Sequence, residues 1–449
     1  MSKQYFTQTG APTFVGPKAP FGAFGHRYYN AEIQVGGRPL KDWVGNTGIA
    51  GWHAGCGTGC DPFSGIGSSR PWPTNPQNLD EALQRAAAMI ELAEITGTPY
   101  LQWHDADLAY GIGSDHQANR ASVLETATAV RKMLDDAGKG CGWFTGNLFT
   151  NPAFHGGAAM AANFDVYRFA AASATTVVDG ANILGAKDIV YWPGRDGWDH
   201  VFRRIGQDVT AQTQFLRMFV EHMRAKGFAG KLLVEPKPNE PKEHISVRDV
   251  QTLYALAQSA GLTAQDIGGN IEEGHCEMGG EPFWLQLALA AHWGLLHGVD
   301  LNDQYPYAPA RDTDHIACGL RPLAKLVSAA LVILQTGQPI AGVWNHDAKL
   351  RRGSTDHNDL PGALVAAQDT LALAFLVAGE ILKDGGAEQI IGQSYTGWDS
   401  NLAVRALSGE ATFEELAAGV GNVIVPASSQ EERLESLLLF ALGRVLANL

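Results

Sequence analysis

Four acidic residues, Glu235, Glu272, Asp300 and Asp347, stand at the ends of short apolar runs, and two further pieces, Glu272-x-x-His275 and Asp312-Thr313-Asp314, add an imidazole and two more carboxylates. Brought to one place, each close pair of such charges repels by about 4 kcal/mol at an effective dielectric near 20, so a cation must lie among them. Oxygen donors with a single imidazole suit Mg²⁺, Mn²⁺ or Co²⁺, whereas zinc would call for more His or Cys. The set is large enough for two divalent cations that share Glu272. Lys237, two residues beyond Glu235, points to the same side of a strand. It is either a structural ion pair or a charge available to a reaction. His104-x-x-Asp107 joins an imidazole to a carboxylate that could hold one ring nitrogen and leave the other for proton transfer. Trp52, Trp143 and Trp192 either fill a core or wall a pocket suited to the apolar faces of a sugar.

Any one of these residues alone reads as a solvated charge or a packed side chain. What makes them a set is the elements that carry them. Eight apolar runs of strand length recur at Thr47–His53, Pro99–His104, Gly140–Asn147, Asp188–Trp192, Leu232–Lys237, Ile267–Glu272, Leu295–Asn302 and Ile340–Asp347. Helical periodicity fills the intervals at Asn78–Thr96, Ala121–Ala137, Ala159–Leu184, Val209–Lys226, Val247–Ala260, Pro282–Trp293 and Leu320–Gln335, and Leu360–Asp384 follows the last run. Eight strand-helix units predict an α/β fold, a closed (β/α)8 TIM barrel, whose chemistry belongs at the carboxyl ends of the strands. An open dinucleotide-binding sheet has no support, because no Gly-x-Gly-x-x-Gly turn follows the first strand.

The expected organisation is an N-terminal extension (1–45), the barrel (46–355) and an extended C-terminal helical arm (356–449) with helices at Thr412–Gly419 and Gln430–Leu446. Such an arm is too thin to fold by itself and must lie on the barrel or on another subunit, which predicts an oligomer.

The chain has 449 residues, 45% of them apolar and 18% charged, enough for a large core. Its 47 acidic against 33 basic side chains give a net charge of -14, which argues against nucleic acid as a partner. The apolar stretches Leu323–Leu334 and Leu364–Leu382 are too short or too interrupted for a bilayer and read as buried helices, so no membrane is expected. Five scattered cysteines, no disulfide framework and no leader-like start point to a reducing, cytoplasmic setting.

Several strings carry a family likeness: Asp61-Pro62-Phe63, Trp103-His104-Asp105-Ala106-Asp107, Asn147-Leu148-Phe149, Glu235-Pro236-Lys237-Pro238, Asn270-Ile271-Glu272 and Asp347-Ala348-Lys349-Leu350-Arg351-Arg352. With them, from about Phe24 onward, the chain resembles xylose isomerase in its longer class. The resemblance implies a metal-assisted hydride shift from D-xylose to D-xylulose, with D-glucose to D-fructose as a further candidate, and no nicotinamide. It implies Glu235, Glu272, Asp300 and Asp347 around one cation, and Glu272, His275, Asp312 and Asp314 around a second. His104, oriented by Asp107, would assist ring opening, and Lys237 would polarise the carbonyl oxygen. Trp52, Trp143, Phe149, Val190 and Trp192 would shape the sugar pocket, with Phe63 reaching in from a neighbouring subunit of a homotetramer, a dimer of dimers.

Four strings depart from the family pattern, among them Trp192-Pro193-Gly194-Arg195-Asp196-Gly197 for Trp-Gly-Gly-Arg-Glu-Gly and Asn345-His346-Asp347 for Asn-Phe-Asp. Gly274-His275-Cys276-Glu277-Met278-Gly279-Gly280-Glu281 replaces Asn-His-Ala-Thr-Leu-Ala-Gly-His, and Asp300-Leu301-Asn302-Asp303-Gln304-Tyr305 replaces Asp-Ala-Asn-x-Gly-Asp. These altered loops leave open an isomerase or epimerase for another monosaccharide, or a non-catalytic metal-stabilised relative.

Overall fold

The computed structural model describes residues 3–59, 67–383, 385–422 and 427–449. Eight strands, β1 (Thr47–Ala50), β2 (Tyr100–His104), β3 (Gly140–Thr145), β4 (Asp188–Tyr191), β5 (Leu232–Val234), β6 (Ile267–Glu272), β7 (Leu296–Asp300) and β8 (Trp344–His346), close into a barrel in sequence order. Every pairing in it is parallel, including the closing pair of β8 with β1. The helices that follow the strands are α1 (Leu79–Thr96), α2 (His116–Ala137), α3 (Phe164–Leu184), α4 (Ile205–Ala225), α5 (Val250–Ala260), α6 (Phe283–His292), α7 (Leu320–Thr336) and α8 (Asp359–Leu382). From α1 to α7 each packs beside its successor around the barrel.

All eight expected strands form, but several stop early. The first gives way after Ala50 to a short helix, Gly51–Cys56, and the fifth ends at Val234, before Pro236 and Pro238 remove two ladder donors. Helix starts move for reasons of capping. α2 begins at His116 because the Asp115 side chain accepts the amides of Gln117 and Ala118. α3 begins five residues later than the apolar periodicity suggests. Its cap is Asn163, while the amides of Ala158, Ala159 and Met160 donate instead to the buried Asp196 carboxylate, which also accepts the Tyr191 hydroxyl. Glycines in the left-handed region end α1, α2, α3, α5 and α7, where a Cβ would be strained.

Trp143, Val190, Leu233 and Val343 fill part of the barrel interior as one apolar cluster. The N-terminal segment is tied down by carboxylates: Glu91 accepts the amides of Tyr5 and Phe6, and Asp369 those of Arg27, Tyr28 and Tyr29.

The chain divides into two compact units, residues 1–374 and 375–449. In the second, the helix Gly386–Gly392 contacts the long helix Glu431–Asn448, and Gln430 donates to Gln393 at 2.6 Å. Two short helices, Asn401–Leu407 and Phe413–Ala417, lie between them, and Leu439, Phe440, Phe413 and Val420 are exposed. Among the described helices α8 alone has the length and apolarity to cross a membrane, and 83% of its apolar window is buried in the protein.

Candidate functional site

Glu272 and Asp300 are the last residues of β6 and β7 and face each other in the ladder, and Asp300 is paired in turn with Asn345 of β8. Glu235 and Asp347 each follow one residue beyond their strands. The result is a ring of four buried carboxylates with one oxygen from each lying within 4.8 Å of the others. Asparagines hold this ring. Asn270, two residues before Glu272 and so on the same face of β6, donates to Glu235 at 3.2 Å and to Asp300 at 2.5 Å. Asn345 donates to Asp300 at 2.6 Å, and Asn302 to Glu272 at 2.6 Å. Asn270 and Asn302 lie in strings quoted above and Asn345 in the eighth apolar run, but nothing in the sequence assigned them this part.

Beyond the ring, Glu272, Asp312 and Asp314 form a second group with oxygens within 4.8 Å of one another. His275, on the short helix Glu273–Met278 that leaves β6, stands between the two groups. Its Nδ1 lies 3.2 Å from Glu272 and 3.7 Å from Glu235, and its Nε2 contacts Asp312 at 3.0 Å. The expected ligands of both cations therefore do converge, although His275 reaches both groups rather than only the second.

The electrostatics suit cations. Burial, reinforced by neighbouring acids, pushes the carboxyls of Glu235, Glu272, Asp314 and Asp347 well above the usual carboxylate range, and burial raises Asp300 to about 7. Asp312 goes the other way: burial opposes its charge, but the Lys237 ammonium beside it holds it well below the ordinary value. His275 Nδ1 and Asp312 Oδ1 are buried without a hydrogen-bond partner. Buried repelling oxygens with orphaned donor atoms fit divalent cations of the Mg²⁺, Mn²⁺ or Co²⁺ kind.

The sign of the pH dependence follows. For the raised carboxyls, the metal-free fold is favoured fully below the ordinary carboxylate value near 4, and that contribution is lost as pH rises through about 7 and above. Asp312 contributes oppositely, and only at the acid end. Chelated protein is thus expected to melt at a lower temperature at pH 8 than at pH 6. Adding Mn²⁺ should stabilise it more at pH 8, with release of about one proton or more per chain at pH 7. Calorimetry in two buffers of different ionisation enthalpy checks this; cation binding without proton release would contradict it.

The remaining site residues line the same mouth. His104 Nδ1 meets Asp107 at 2.5 Å, and although burial opposes it, His104 holds that carboxyl below its ordinary value. The His104 ring stacks on Trp52 at 4.2 Å and 13° and takes the edge of Phe149 at 5.3 Å. Phe149 meets Trp192 edge-on at 4.6 Å, and the Lys237 ammonium lies 5.3 Å over Trp192. Trp52 closes the arc by donating to Asp347 at 2.7 Å. An aromatic crescent thus runs from a carboxylate of the ring, past the His104–Asp107 pair, to Lys237. The Lys237 ammonium donates to Asp312 and Glu240, both at 2.9 Å, and these two acids outweigh burial and keep it charged.

Trp143 and Val190 sit elsewhere, fully buried in the interior apolar cluster rather than in this crescent. Phe63 lies outside the described residues. His53 ends the first apolar run beside Trp52 and so falls among the residues at the strand ends, but the sequence assigns it no role. Its Nε2 is 3.2 Å from Asp347 and 3.6 Å from Asp314, and burial, then Lys349, pushes its pKa down to about 3, so it stays neutral.

No family model matches the chain. Curated relatives do. It is 32% identical over 440 residues to the xylose isomerase of Pectobacterium atrosepticum and 34% identical over 445 residues to that of Dinoroseobacter shibae, covering in both cases 97% of this chain and 98% of the relative. The xylose isomerase of Chelativorans sp. is 32% identical over 442 residues, 98% of this chain and 99% of the relative. Among solved structures, a D-tagatose 3-epimerase-like protein superposes with a TM-score of 0.50 at 13% identity, over 68% of this chain and 98% of that one. An L-ribulose 3-epimerase does so with a TM-score of 0.50 at 13% identity, over 74% and 95%. At such identities these structures speak for the shared barrel alone.

Proposed function

The chain belongs to the xylose isomerase family and is a sugar isomerase of the aldose-ketose type, and from that premise we propose that it converts D-xylose to D-xylulose, with D-glucose to D-fructose as a second conversion. The observation that carries this reading is the meeting, at one barrel mouth, of two acid groups sharing Glu272 with the His104–Asp107 pair and Lys237. Two divalent cations held by Glu235, Glu272, Asp300 and Asp347 and by Glu272, His275, Asp312 and Asp314 would polarise hydroxyl and carbonyl oxygens of the sugar.

The chain's own residues supply the rest. Asp107 fixes His104 through Nδ1 and leaves Nε2 to move the proton that opens the sugar ring. Lys237 presents a buried positive charge to the oxygen that becomes negative as hydrogen passes from carbon 2 to carbon 1. Trp52, Phe149 and Trp192 exclude water from the reacting carbons, with Trp143 and Val190 as packing beneath them and Phe63 as the contribution of a neighbouring subunit. The assembly that this requires is a soluble, cytoplasmic homotetramer, a dimer of dimers, with residues 1–45 as an N-terminal extension, 46–355 as the catalytic barrel and 356–449 as the oligomerising arm.

The test is an assay of chelated protein resupplied with Mg²⁺, Mn²⁺ or Co²⁺ on a panel of aldoses and ketoses. Ketopentose from D-xylose, with the carbon-2 hydrogen retained, is the expected result. Epimerised ketoses with no aldose conversion would reassign the substrate, and washout of that hydrogen into solvent would replace the hydride route by an enediol.

A further inference from the structure

The two acid groups differ in what holds them. All four ring carboxylates stand at the ends of strands β5 to β8 or one residue beyond them, where the ladder and Asn270 and Asn345 position them. His275, Asp312 and Asp314 have no such frame. His275 rides on a helix of only six residues, and the two aspartates end a loop that begins after Asn302.

One ion cluster, buried at its acids Glu273 and Asp303 and exposed at its two arginines, joins these pieces. Lys325, on α7, points its ammonium at Glu273 at 2.5 Å and at Glu277 at 2.8 Å, one turn apart on the helix that carries His275. It also lies 3.8 Å from Asp303, the first residue of the loop. Arg321, one turn before Lys325 on α7, grips Asp303 at 2.9 and 2.5 Å, and Arg351 reaches it at 3.0 Å from the segment that follows Asp347. Asp303 and Glu273 are each 1% exposed.

The loop transmits this anchorage to its far end. The Asp303 amide donates to His315, which bridges to Lys349, and Lys349 donates to the Asp314 carboxylate at 2.7 Å. Between them Gln304 spans the loop, donating to the carbonyls of Ala308 and Arg311 and accepting from Thr313. The cluster joins three acids to three bases.

We propose that Lys325, acting with Asp303, is a positioning residue that sets the distance between His275 and the Asp312–Asp314 pair, and so tunes the second cation group without touching it. This rests on the two-cation reading above. Partners behind metal ligands commonly change affinity by about 10- to 100-fold when removed.

The experiment is Mn²⁺ titration of the chelated full-length protein by calorimetry, with circular dichroism as the check on folding. The parent is expected to bind two Mn²⁺ per chain. Lys325→Met should leave the tighter event unchanged and weaken the other by about 10- to 100-fold, and Lys325→Arg should recover most of the loss. Asp303→Asn, which keeps the shape and removes the shared charge, should show the same selective loss, and it decides the matter with Lys325→Arg if Lys325→Met does not fold. Equal weakening of both events, or of neither, in folded variants overturns the positioning role alone. A parent that binds fewer than two Mn²⁺ overturns the two-cation reading and this inference together.

Discussion

Replacing Lys237 with Ala is expected to lower kcat by about 10²- to 10³-fold while the protein keeps its fold and its two-cation stoichiometry. The ammonium is buried against Asp312, Glu240 and the face of Trp192, so no solvent-exposed cation can take its place. Its loss removes positive charge from the point where an oxyanion develops, worth about 3 to 4 kcal/mol in comparable sites. It also frees Asp312 from its ammonium partner and leaves it beside His275 and Asp314, so cation binding at the second group should hold or tighten. Steady-state kinetics beside calorimetry separates these effects. Turnover near that of the parent would remove Lys237 from the reaction, and loss of fold or of both cations would show it to be a structural ion pair.

Glu272→Gln should do more damage, because this carboxylate belongs to both acid groups. The substitution preserves shape and removes one charge, so cation stoichiometry is expected to fall from two to one or none and turnover by about 10³-fold or more, given that each such ion is worth several kcal/mol. Stability should move the opposite way in the chelated state. Glu272 is crowded by Asp312, Glu235, Asp347 and Asp314, and a neutral amide relieves that repulsion. At pH 8 the metal-free variant is therefore expected to melt above the metal-free parent, and to gain less from added Mn²⁺. Two cations bound with parental affinity would show that the groups do not share this residue.

How much of this could be read from the chain alone varies with how local the cause is. The eight strands and the acids at their ends were legible because an apolar run and the residue that closes it are properties of neighbouring positions. Helix starts were less so. The start of α2 depends on an Asp one residue upstream, which a sequence reading can catch, but the start of α3 depends on Asp196, more than thirty residues away, taking three amides that an extended helix would have used. The same distinction separates the aromatics. Trp52, Phe149 and Trp192 belong to the mouth, whereas Trp143 turns into the interior cluster, a choice made by the packing of Val190, Leu233 and Val343 around it.

Charge state was the least legible. Asp312 and Asp314 are two residues apart and chemically identical, yet one is held well below the ordinary carboxyl range and the other well above it. The amino-acid order by itself determined that a parallel barrel would form and that oxygen ligands, an imidazole and a lysine would crowd one end of it, since both follow from periodicity and from which residue closes each run. Only the tertiary structure decided which acids group together, where His275 stands between them, and which carboxyls are pushed above the ordinary range and which below. Those outcomes are set by distances of a few ångströms and by burial among segments tens of residues apart, and neither quantity exists until the chain has closed on itself.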